Sequence, residues 1–212
     1  MAVVVLLGSM AILTEVSCVY AGVSAGGWRS RGWHDLGDKG FCLVRLQYDG
    51  SGWDAGMNAE SRADLNFLDA FSKMTGLRTA CVSTNLPVDR LRSYNKGFIS
   101  PLVYMTGDGD IRIPAKDIGL LRDFLVGGGM LLADCGSPQW DKSFRHFVQQ
   151  LFPEKELLTI PDDDPIFQVP LTFPNGAPPF WHYGGTKAMG IKNAGRWLVF
   201  YHPGALRDAS KT

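Results

Sequence analysis

The chain has 212 residues, 45% hydrophobic and 20% charged, which suits one large packed domain, with or without an extension. Lys+Arg and Asp+Glu are both 21, so the formal net charge is zero. With no basic excess to meet a phosphate backbone, nucleic acid is excluded as an expected partner.

The chain opens with "MAVVVLLGSMAILTEVSCVYAG", an apolar run from Ala2 to Leu13 followed by Val19-Tyr20-Ala21, a small-residue cleavage pattern. Residues 1–21 therefore read as an export signal, although no Lys or Arg precedes the run. The run is short for a membrane span and Glu15 interrupts it, so an uncleaved N-terminal segment is the single route to a membrane. Cys18 raises a lipoprotein signal, but Glu15 stands where a lipobox wants Leu. The expected place is the periplasm or cell envelope. Cleavage after Ala21 leaves Cys42, Cys81 and Cys135, an odd number, so at least one thiol is free or pairs between chains. Cys42 and Cys81 sit in apolar runs and read as small buried residues.

Residues 22–39 are rich in Gly and Ser and form an exposed lead-in. A domain over 40–212 follows. Its first strand is predicted over Phe41–Tyr48, then a turn-rich loop, then a helix capped by Asn58 and closed by Gly76. "RTACVST" is a second strand and "FISPLVYMTG" a third. Between them "LPVDRLRSY" is a short helix or turn. Pro114 starts a helix with Ile118, Leu121 and Leu125 on one face. "MLLADC" is a fourth strand. Asp141 is the expected cap of the next helix, whose Phe144, Phe147, Val148 and Leu151 share a face. "KAMGIK" and "RWLVFYH" form a C-terminal β-hairpin. Alternating strands and helices predict an α/β fold: a three-layer α/β/α sandwich with a mostly parallel sheet, whose ligands belong at the carboxyl ends of the strands. Those ends offer Tyr48 and Asp49, Thr84 and Asn85, Gly107 and Asp108, and Asp134 and Cys135.

The ordered segments "VRLQYDGSGWD", "SPLVYMTGDGDIRIP", "LLRDFLVGGGMLLADCG", "WDKSFRHFVQQLFPE", "IPDDDPIF" and "GRWLVFYHPG" together resemble a bacterial family of domains of unknown function, the one numbered four-one-five-nine. The resemblance runs from about Gly40 to Lys211. It implies a class I glutamine amidotransferase-like fold, similar in outline to trehalose-utilisation-type domains. It also implies an exported or membrane-associated bacterial protein, and a domain that runs somewhat past Thr212. It assigns no reaction. Asp134 matches the family's acidic residue after the fourth strand. The family pattern has Gly-His where this chain has Gly107-Asp108, and Asp-His-Pro where it has Asp163-Asp164-Pro165.

Cys135 has small neighbours, Ala133 and Gly136, and a strand before it. That is the setting of a nucleophile on a strained turn, with His182 or His202 as the downstream base. Neither histidine belongs to a His-x-Glu pair, and a helix starting near Asp141 leaves a slack turn, so the thiol reads as structural. Asp49, Asp108 and Asp134 would bind a cation through their oxygens or act as an acid/base pair if the sheet brings them together. "GDGD" otherwise makes a turn. Asp162 to Asp164 read as a solvated loop. The four histidines have no metal-type spacing, and no phosphate-cradling glycine loop is present, so no metal or cofactor is expected. Phe180, Trp181 and Tyr183, on a Pro/Gly-rich loop, suit recognition of a protein or glycan, or a lid over the sheet edge. The resulting expectation is a non-catalytic domain with Asp49, Asn85, Gly107, Asp108, Asp134 and Trp181 around a bound small molecule, glycan or envelope protein. Two alternatives stand beside it. One is a cell-envelope hydrolase or amidase using Cys135, Asp134 and His182 or the Asp cluster. The other is a carbohydrate-handling domain.

Overall fold

The computed structural model describes residues 41–57, 62–80, 82–91, 102–168, 172–180 and 185–209. The export segment, the lead-in, Asn58, Cys81, Trp181, His182 and Tyr183 lie outside the described residues.

The elements follow in chain order as β1 (Val44–Gln47), α1 (Ala63–Thr75), β2 (Thr84–Pro87), β3 (Leu102–Met105), α2 (Ala115–Val126), β4 (Met130–Asp134) and α3 (Pro138–Leu151). Then come β5 (Leu158–Thr159), a 3-10 turn (Pro165–Phe167), β6 (Met189–Asn193), β7 (Arg196–His202) and α4 (Leu206–Ala209). They build one seven-stranded sheet in the order β2-β1-β3-β4-β7-β6-β5. The five strands from β2 to β7 in that order run parallel, and the last two pair antiparallel. The sheet is mostly parallel, helices cover both faces, and β6–β7 is the C-terminal hairpin, as the sequence predicts.

Every residue of β3 and β4 is buried, which is why "LVYM" and "MLLAD" read as nearly unbroken apolar runs. The pleat divides their side chains between two cores. Val103, Leu131, Ala133, Val199 and Tyr201 meet Leu121 and Leu125 of α2 and Phe144, Phe147 and Val148 of α3. Leu102, Tyr104, Leu132 and Phe200 meet Phe67 and Phe71 of α1, Phe167 of the 3-10 turn and Leu206 of α4. This two-sided burial fixes the register, since a slip of one residue would exchange the two sets.

Several boundaries differ from the sequence reading: β1 is only Val44–Gln47 of the predicted Phe41–Tyr48, and α1 starts at Ala63 after Arg62 instead of behind a cap at Asn58. Helix α3 starts at Pro138, with Ser137 as its cap, and not near Asp141. The Ser137 hydroxyl accepts the Trp140 amide at 3.1 Å, and proline at the first helical position needs no donor there. Asp141 instead sits in the first turn. The second strand is Thr84–Pro87, with residues 78–80 touching β1's lead-in through one bridge between Phe41 and Thr79. Pro87 is tolerated because β2 is an edge strand. The hairpin turn is the pair Ala194–Gly195 between paired Asn193 and Arg196, both at positive φ, the conformation that matches the twist of the flanking strands.

Candidate functional site at the strand ends

The carboxyl ends of β1, β3, β4 and β7 carry the polar residues of this fold, and the sheet sorts them by face. On the α3 side, Tyr48 follows β1, and its phenol donates to the Thr106 carbonyl at 2.7 Å while accepting the Trp140 indole N–H at 2.8 Å. Gly107 closes that arrangement: a Cβ there would lie 2.1 Å from Tyr48 Oη and 2.6 Å from Trp140 Nε1. The Gly107–Asp108 loop is then pressed against the turn after β4. The Gly136 amide donates to the Gly107 carbonyl, and the Ser137 hydroxyl to the Asp108 carbonyl.

On the α1 side the polar groups are buried. Arg45 of β1 pairs with Asp64 of α1, Nε to Oδ2 at 2.9 Å, and reaches the Trp53 carbonyl with Nη1. Its guanidinium lies over the Tyr104 ring, 4.9 Å from the centroid. Tyr104 of β3 donates its phenol to Asp134 Oδ1 at 2.8 Å. Asp134, at the end of β4, is fully buried and stands level with His202 of β7. Its Oδ2 accepts the Arg207 amide at 2.9 Å. The Thr106 hydroxyl faces the same carboxylate but makes no hydrogen bond of ordinary geometry to a described residue. Burial pushes the Asp134 carboxyl above the usual carboxylate range, against the pull of the Arg207 amide, Thr106 and Tyr104.

His202 is oriented from two sides. Its Nδ1 accepts the Gly204 amide at 2.9 Å, and since an amide can only donate, the proton of the neutral ring sits on Nε2. Phe180 meets the ring edge-on, with centroids 4.8 Å apart. Phe180 therefore lies against the end of β7. Arg207 links the two carboxylates: beyond its amide on Asp134, its Nη2 lies 3.4 Å from Asp108 Oδ1.

The predicted site residues divide accordingly. Asp108 and Asp134 are brought together through Arg207, and Gly107 is part of the same turn. Asp108 keeps a solvent-facing side chain, 45% exposed. Asp49 goes elsewhere: it forms a bidentate ion pair with Arg112 at 2.8 and 2.9 Å on the surface. That pairing holds its carboxyl below the usual range. Asn85 is not at a strand end. It stands level with Arg45 inside the edge strand, and its amide donates to Gln47 Oε1 at 2.8 Å. Among the described residues no group of three His, Cys, Asp or Glu side chains is placed to hold a metal ion.

Cys135 is completely buried, and its thiol donates to the Ser137 carbonyl at 3.0 Å. Burial pushes its pKa up to about 11. The turn into α3 is tight after all, but the side chain belongs to the α3-side core while His202 belongs to the opposite face with Asp134.

The last residue of the acidic run is a further correction, while Asp163 is exposed as expected. Asp164 is buried, not solvated: it caps the 3-10 turn through Ile166 N and accepts Trp197 Nε1 at 3.2 Å and Lys192 Nζ at 3.3 Å. Trp197 lies near the start of β7 and His202 at its end. Those five steps span roughly 16 Å at ~3.3 Å per residue. Asp108 and Asp164, the two positions where the resemblance leads us to expect histidine, thus lie towards opposite ends of the sheet and share no site.

Sequence reasoning missed Arg45, Asp64, Tyr104 and Arg207. One signal was present: an arginine inside the apolar strand "FCLVRLQY" must be buried, and a buried arginine requires a carboxylate. Arg207 carried no such signal, since it follows the hairpin in a polar tail.

These features define an α/β domain with a buried carboxylate and a tight glycine turn at its strand ends. A family model described as a domain of unknown function (DUF4159) matches residues 42–209, and the chain belongs to that family. No curated protein matches the chain.

Proposed function

We propose that this domain binds a small molecule, glycan or envelope protein at the carboxyl ends of β3 and β4, and that it carries out no catalysis of its own. The observation that carries this reading is Asp108, a half-exposed carboxylate on a rigid glycine turn, backed by Arg207 and the buried Asp134. Parallel sheets bind their ligands at this edge, and a pre-formed, locked carboxylate suits a ligand bearing hydroxyl or amino groups. Phe180 beside His202 places an aromatic at the same edge. The absence of catalysis is supported by the placement of Cys135 on the opposite face from His202, with its thiol held protonated. The proposal extends to an amidotransferase-like plan for the three layers and to a place in the periplasm or cell envelope. The family resemblance and the apolar N-terminal run support these two points.

The test is a thermal-shift screen of sugars, amino acids and cell-wall peptides against the wild type and Asp108→Asn. A compound that raises Tm in the wild type and not in Asp108→Asn supports the reading. Hydrolysis of any of these compounds that is lost in Cys135→Ser or Asp134→Asn overturns it.

A further inference from the structure

We draw no further inference here: the strongest candidate, the buried polar cluster of Thr106, Asp134, His202 and Arg207 under the carboxyl ends of β3, β4 and β7, belongs to the site already described, and nothing in the structure shows what reaches it.

Discussion

Cys135 and His202 stand at the ends of neighbouring strands and face opposite layers of the sheet. The Cys135 thiol lies in the core under α3, and His202 lies level with Asp134 on the other face of the sheet, against Phe180. A nucleophile and its base must come within hydrogen-bond reach, and a pleated sheet keeps this pair apart whatever the side-chain rotamers. Native Cys135 should therefore react with a thiol reagent at pH 7–8 at the rate at which the protein unfolds. Labelling in increasing urea, followed by mass spectrometry of the Cys135 peptide, measures this. Fast labelling in the absence of urea, independent of global stability, would show an activated and accessible thiolate.

The alternation that separates these residues also explains what could be read from the sequence. Continuous apolar runs bounded by Gly and Pro gave β3, β4 and the hairpin, because burial on both faces leaves a compositional trace. Strand-end reasoning placed Gly107, Asp108 and Asp134 at the ends of β3 and β4, where they lie, because chain order alone locates the end of a strand. It misplaced Asn85, since the apolar "TACV" of residues 79–82 looks more like a strand than "TNLP", which forms β2 only by pairing with β1. It gave Asp141 the role of Ser137, because both are good caps; Pro138 at the first helical position and the hydrogen bond from Ser137 to the Gly107–Asp108 loop favour the earlier one. Arg45 and Asp134 each left a trace in the sequence, but the row Arg45–Tyr104–Asp134 joins three strands, so its contacts could not be read from chain order.

Asp134 gives a pH signature with a definite sign. Burial raises its folded pKa above the unfolded value near ~3.9, so the folded state takes up a proton more readily than the unfolded chain. The stability from this group is fully present below that value and is lost as pH rises through the raised pKa. Asp134→Asn cannot titrate. Urea unfolding of the two proteins from pH 4 to 8 should show the wild type losing ground to Asp134→Asn as pH rises. A difference moving in the wild type's favour would mean that the carboxylate is stabilised as an anion.

The Arg45–Asp64 pair has both side chains almost wholly inaccessible, so breaking it is costlier than replacing it. Arg45→Met leaves Asp64 buried without its cation and should cost about 3–5 kcal/mol. The double variant Arg45→Met/Asp64→Leu removes both charges from the contact between β1 and α1 and should recover most of that loss, less the contact from Nη1 to the Trp53 carbonyl. Guanidinium melts of the single and double variants give the coupling directly. Equal destabilisation in both would show that the Trp53 contact, not the unpaired charge, is the larger effect.

Gly107 and Gly119 should respond in opposite directions to the same substitution. A Cβ at Gly107 meets the Tyr48 hydroxyl and the Trp140 indole, both held in mutual hydrogen bonds and unable to yield without breaking them. Gly107→Ala should destabilise by about 1–3 kcal/mol and displace the turn that carries Asp108. Gly119 lies on the exposed face of α2, and a Cβ there meets no atom within 4 Å, so Gly119→Ala should stabilise by about 0.5–1 kcal/mol through backbone entropy alone. Thermal unfolding of the two variants checks both signs. If Gly107→Ala kept full stability, the Tyr48–Trp140 hydrogen bond would not be the element that fixes the turn, and Asp108 would lose the rigidity on which the binding reading depends.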